Sequence, residues 1–302
     1  MTVTKGSQIL FSDYNNLREG INLWFADKYA GAISFGYAYQ TYGWGGSSVA
    51  EPNSREPRKS SQLNSLIDRC NIGEDIADYI SAGPISQIEY GSLMESALVT
   101  RINTESASID TNRLDIEAAE MSLNAGGASE LVGSWSSAAV DCTFRYTLSD
   151  FDEARYFFNS GGAFNIFGTI TGYSTGTGWD GAGIDEILTD MGTILMNYTE
   201  TTQSGSGGTP TSIGYYDLTT SYQTIFSQAG TGAYSDATVT IQARYGSSGA
   251  YVEILVTLTP EGGRDVDGTT TITTQYRKLD NQSSGSASLT ITAPSYSLIN
   301  GL

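Results

Sequence analysis

Residues 150–170, DFDEARYFFNSGGAFNIFGTI, leave little freedom in local structure. Ser149 or Asp150 can cap a helix, and Asp152 and Glu153 place negative charge where the helix dipole favours it. Phe151, Ala154, Arg155 and Phe158 recur at three- and four-residue steps, with Tyr156 and Phe157 beside them. Asn159-Ser160-Gly161-Gly162 then ends the helix, because glycine enters the left-handed cap conformation without steric cost. Beyond it Phe164, Ile166, Gly168 and Ile170 share one parity, the pattern of a strand with one buried face. The stretch therefore predicts a helix, a sharp glycine turn and a strand driven into one core. It reads as an organising element and not as a catalytic one.

The same period of two governs the rest of this half. Val140, Cys142, Phe144, Tyr146 and Leu148 alternate with polar residues, as do Val239, Ile241 and Ala243, and Val252, Ile254, Val256 and Leu258. Strands are expected over 194–202, around 213–216, and over 222–226, 238–244, 251–259, 270–276 and 288–292. Gly- and Ser-rich turns such as Gly246–Gly249 join them, and 203–211 reads as a flexible loop. A second short helix carries Ile184, Leu188 and Met191 and ends at Gly192. Short antiparallel strands with such turns argue for a β-sandwich with two inserted helices.

The first 125 residues follow helical periodicity instead. Ser12 can cap a helix bearing Tyr14, Leu17, Ile21, Trp24 and Phe25, and another carries Leu63, Leu66, Ile67 and Cys70. Between them lie an aromatic, Gly-rich turn region (31–46) and an exposed linker (47–59) with Arg55, Arg58 and Lys59. Ser86 with Glu89 is a capping-box pattern for a helix bearing Tyr90, Met94, Leu98 and Ile102, and Leu114, Ala118 and Met121 suggest a partner helix. Their narrow apolar stripe suits an intramolecular hairpin or an oligomeric bundle equally. Asn124–Ser129 reads as a linker, so the expected organisation is α+β: a helical domain over 1–125 and an antiparallel β-sandwich over 130–302.

With 15 basic and 33 acidic residues the net charge is −18, which repels nucleic-acid phosphates and anionic membrane surfaces. No run of about 18 apolar residues predicts a membrane span, and MTVTKGSQILF lacks a signal-peptide core, so a chain made soluble in the cytoplasm is expected. The absence of histidine removes the commonest general base and most zinc sites. Cys70 and Cys142 make no disulfide framework and read as buried thiols.

The acidic clusters are Asp150/Asp152/Glu153, Asp180/Asp185/Glu186/Asp190 and Asp265/Asp267. A glycan hydrolase needs two carboxylates about 5–10 Å apart across a sugar. The first two clusters stand at expected helix starts, where the dipole accounts for them. Asp265-Val266-Asp267-Gly268 opens like a calcium loop but lacks the later ligands, so a turn is expected. Neither a P-loop nor a strand-coupled dinucleotide fingerprint occurs. The aromatics Trp44, Trp135, Trp179, Tyr215 and Tyr216 can serve as core or as platforms for sugars.

The segment DEARYFFNSGGAFNI resembles a recurring motif of tailed-bacteriophage virion structural proteins, DARYFFNxGG followed by a strand. IGYYDLTTSYQTIF (213–226) resembles their companion motif, and ILFSDYNNLREGIN, YGWG and LNSLIDRCNIG fit the N-terminal half. The resemblance implies a structural motif built on Phe151, Arg155, Tyr156, Phe157, Phe158, Asn159, Gly161 and Gly162, with no catalytic, cofactor-binding or metal-binding residues. It implies a non-enzymatic, homo-oligomeric neck, collar, tail-fibre or baseplate component, assembled into the virion in the host cytoplasm. Its partners would be copies of itself and other virion proteins. The alternative is a receptor- or glycan-binding adhesion module that meets host surface glycan through Trp179, Tyr215 and Tyr216.

Overall fold

A computed structural model describes residues 11–26, 43–51, 60–79, 81–90, 95–135, 138–176 and 178–302. The fold is α+β, as the change of period predicts, and divides into two compact units. The division is not contiguous in sequence. The first unit takes residues up to Ser122 together with Arg155–Gly161 and Leu279–Ile291; the second takes Leu123–Ala154, Gly162–Lys278 and Thr292–Leu302.

The first unit is built on α1 (Phe11–Ala26), α2 (Ser60–Ile76) and α3 (Ser96–Asn112). Trp24, Phe25 and Ile21 of α1 are fully buried, and Trp24 Nε1 donates to Ser106 Oγ of α3 at 3.0 Å. Trp44 meets Trp24 edge-on at 5.4 Å and donates to the Arg113 carbonyl at 2.9 Å, so it is a core residue. Val99, Ile102 and Ile109 of α3 are also buried within this unit. The buried face is therefore not the expected stripe: of Tyr90, Leu98 and Ile102 only Ile102 is buried, Leu98 is half-buried and Tyr90 is 96% exposed. Most of the aromatic region 31–46, and Arg55, Arg58, Lys59 and Met94, lie outside the described residues.

Two expected helices give way to other structure. The capping box at Ser86 starts no helix; 81–89 has no regular secondary structure. Asn71 of α2 accepts the Ile85 N–H (2.8 Å) and donates to its carbonyl (3.0 Å), and Asn64 does the same at Ile88 (2.9 and 3.0 Å). These two side chains satisfy backbone groups as a neighbouring strand would, which removes the drive to form a helix. Instead of a helix over 110–123, Asp78 N–H donates to the Asp115 carbonyl at 2.8 Å and Glu117 N–H to the Ile76 carbonyl at 2.9 Å. A two-stranded hairpin, β11 (Gln282–Ser284) and β12 (Ala287–Leu289), completes the unit. Ser286 donates to the buried Asp68 of α2 through its N–H (2.7 Å) and Oγ (2.9 Å).

The second unit is an antiparallel sandwich. One sheet has the order β1-β10-β3-β4-β5, from β1 (Met121–Val132), β10 (Thr269–Leu279), β3 (Ala163–Thr171), β4 (Ile194–Met196) and β5 (Thr201–Gln203). The other has the order β13-β2-β9-β8-β7-β6, from β13 (Ser295–Asn300), β2 (Val140–Thr147), β9 (Tyr251–Thr259), β8 (Thr238–Tyr245), β7 (Gln223–Ala229) and β6 (Thr209–Pro210). The inner faces meet at Tyr146, whose ring stacks on Phe164 at 4.4 Å and whose hydroxyl bonds to Thr274 Oγ1 at 2.6 Å. The alternating residues of β2, β8 and β9 supply this core as expected.

The expected linker 124–129 is instead the middle of β1. Its glycines are there for packing. A Cβ on Gly126 would overlap the Tyr146 hydroxyl and lie 2.6 Å from the Thr274 carbonyl oxygen, and one on Gly127 would overlap the Tyr296 ring. The strand expected around 213–216 is a 3-10 turn over Tyr215–Asp217, while β13 gave no clear signal in the sequence.

Candidate functional site

The motif helix α4 (Phe151–Asn159) starts as its sequence dictates. Asp150 Oδ1 accepts the Glu153 N–H at 2.9 Å, so Asp150 rather than Ser149 is the cap. The division between units falls inside this helix, after Ala154. In the sandwich unit, the Phe151 ring occupies the space a Cβ on Gly249 would need, and Gly249 turns with φ +70°. In the helical unit, Arg155, Phe157, Phe158 and Asn159 are fully buried. Asn159 Nδ2 donates to the Gly43 carbonyl at 3.0 Å, and the Arg155 guanidinium lies 4.9 Å from the Tyr156 ring centroid. Gly45 owes its lack of a side chain to Tyr156, which fills that space.

Gly161 has φ +82°, the left-handed conformation expected of it, and a Cβ there would lie 3.1 Å from Ile116. Gly162 is buried and opens the second unit ahead of β3. All eight motif residues thus serve folding. The chain passes between the units at both ends of this short stretch.

The three aromatics expected to meet glycan are not equivalent. Tyr215 is 2% exposed, and its hydroxyl donates to the Gly249 carbonyl at 3.0 Å, so its faces are closed to a sugar. Tyr216 and Trp179 are half-buried, and Trp179 is held by a bridge to Asp265. Trp135 is buried and bridges to Val266.

Several members of the acidic clusters are held in separate structural bonds. Asp185 accepts from the Tyr173 hydroxyl (2.8 Å), Glu186 from Thr231 Oγ1 (2.5 Å), and Asp267 from Ser174 N–H (2.7 Å) and Oγ (2.6 Å). The Asp267 bonds pull its pKa below the usual carboxylate range, and its segment is a turn. Asp180, before α5 (Gly181–Met191), departs from the expectation of a simple dipole effect: its side chain does not cap its own helix. Its Oδ2 accepts the Glu261 N–H at 2.6 Å while Oδ1 has no hydrogen-bond partner, and burial raises its pKa.

A polar constellation not anticipated from the sequence lies on the outer face of the six-stranded sheet. Glu253 of β9 is 1% exposed and is flanked in register by Arg145 of β2 and Arg244 of β8. Arg145 Nε reaches Oε1 at 2.9 Å; Arg244 Nε (2.6 Å) and the Tyr222 hydroxyl (2.9 Å) reach Oε2. Burial by itself would raise the Glu253 pKa, but the bonds from Arg145, Arg244 and Tyr222 win and hold it below the usual range. Each arginine also lies 4.4 Å from a tyrosine centroid, Tyr251 for Arg145 and Tyr222 for Arg244. The signal was available: these are isolated charges at the outward parity of otherwise weakly charged strands.

Among the described residues, no three His, Cys, Asp or Glu side chains are placed to hold a metal ion, and no helix is long and apolar enough to cross a membrane. Both cysteines are free and buried; burial pushes the Cys142 thiol up to about 12 and raises that of Cys70 as well. No protein-family model, curated protein or solved structure matches the chain.

Proposed function

We propose that this chain is a non-enzymatic structural protein of a tailed-bacteriophage virion: a homo-oligomeric neck, collar, tail-fibre or baseplate component. In this reading the N-terminal half attaches to the particle and the sandwich projects from it. The observation that carries it is the use made of the DEARYFFNSGG stretch. Its resemblance to a virion motif is accompanied by burial of most of the stretch, with Arg155, Phe157, Phe158 and Asn159 fully buried and Gly161 forming the turn. A segment used in this way reads as scaffold. The dispersal of the acidic residues among structural hydrogen bonds gives a hydrolase no support.

Partners in this role are copies of the chain and neighbouring virion proteins, with no nucleic acid or membrane. The glycan-binding alternative is weakened by the burial of Tyr215, although Trp179 and Tyr216 retain partial exposure. Labelling the chain with antibody on purified particles tests the proposal. Discrete label at the neck, tail or baseplate is expected; absence of the chain from purified particles would overturn it.

A further inference from the structure

We propose that the sandwich side formed by β1 and β13 is the surface through which two copies of this chain associate, edge to edge. This deepens the proposed role and rests on its homo-oligomeric part. Among the described residues both strands are the outermost of their sheets, β1 in the five-stranded and β13 in the six-stranded one. They lie on the same side of the sandwich: Tyr296 of β13 packs on Gly127 of β1, and Leu302 N–H donates to Ser129 Oγ at 2.8 Å. An outermost strand keeps one row of backbone donors and acceptors without a strand partner, and natural sheets guard such rows with lysine, proline or charge. Here neither Leu123–Val132 nor Ser295–Asn300 contains lysine or proline.

Most of the exposed large apolar residues lie on these two strands. Five large apolar side chains stand exposed among the described residues, and four of them are Leu123, Val132, Leu298 and Ile299. The fifth, Tyr90, is in the other unit. Two further observations select a second copy as the occupant. First, the chain carries −18, yet Leu123–Val132 holds one charge, Glu130, and Thr292–Leu302 holds none. A basic partner would be drawn to the acidic surfaces elsewhere, whereas an equally acidic partner is repelled least along this strip. Second, two rows of backbone groups from two different sheets call for an occupant with two matching rows. A single extended peptide satisfies one row, while the same side of another copy presents both.

The test is light scattering over a concentration series on the full chain, on Val132→Lys/Ile299→Lys, and on Tyr90→Lys as a control for the loss of an exposed large side chain elsewhere. Wild type and Tyr90→Lys should give multiples of the chain mass, and the double variant a folded monomer. A wild type that stays monomeric throughout, or a double variant that keeps the wild-type mass, would overturn the inference. The second outcome would leave self-association standing and refute only this surface; particle labelling judges the virion role separately. If the double variant does not fold, hydrogen exchange on wild type decides: amides of 123–132 and 295–300 should lose protection on dilution, and unchanged protection would overturn the proposal.

Discussion

Arg145 and Glu253 are register partners on adjacent antiparallel strands, and Arg145 Nε donates to Glu253 Oε1 at 2.9 Å. Arg244 approaches the same carboxylate from the opposite strand, so one buried acid is shared by two flanking guanidinium groups. Cross-strand pairs of this kind set register, because a slip of β9 by one residue would turn Glu253 to the core and part it from both arginines.

Arg145→Ala and Arg244→Ala should each lower stability by about 1 kcal/mol in urea unfolding, less than a fully buried pair because each arginine keeps part of its surface in water. The double change should exceed the sum, since it leaves the carboxylate with no cation. Glu253 titrates lower in the folded state than when unfolded. Its stabilisation is therefore fully present above the usual glutamate range and is lost as pH falls through the depressed folded value. Glu253→Gln should flatten the acid limb of the stability profile.

Asp180 has the opposite sign. Its folded pKa is raised by burial, so the folded protein holds the proton more tightly than the unfolded chain. The penalty of the charged form is fully present above the folded value and disappears as pH falls below the unfolded one. Asp180→Asn keeps an acceptor for the Glu261 N–H and removes the charge. It should raise the melting temperature by a few degrees at neutral pH, with the gain vanishing in acid.

Gly161→Val forces a β-branched residue into φ +82° beside Ile116, a conformation that disfavours any side chain by about 1–2 kcal/mol before the crowding is counted. Phe158→Ala empties a fully buried site and should cost about 3–5 kcal/mol. Both should lower the unfolding midpoint in thermal melts. Wild-type melting in both variants would mean that the motif is not part of the core.

Asp68→Ala leaves the Ser286 N–H and hydroxyl without their acceptor and should destabilise by about 1–3 kcal/mol. The effect should be local. Hydrogen exchange is expected to rise first across Gln282–Leu289, the hairpin that this carboxylate holds on α2.

What could be read directly was what depends on neighbours in sequence. The Asp150 cap, the Gly161 turn and the alternation in β2, β8 and β9 follow from local sterics and a period of two, and each stands where expected. From these the α+β class and the sandwich followed. What could not be read depends on groups far along the chain. The Asn-Ala-Gly-Gly-Ala-Ser run has the chemistry of a linker, but the Tyr146 and Tyr296 rings leave room only for glycine at 126 and 127, so the same residues make a strand. Ser86 and Glu89 have the chemistry of a helix start, but Asn64 and Asn71 capture the backbone first. The Glu253 network needed three strands in register before its charges could meet. Local chemistry proposes a conformation for each segment. Where a distant side chain satisfies the same backbone groups, or fills the space a Cβ would need, the tertiary structure decides, because buried donors and close-packed cores tolerate few alternatives.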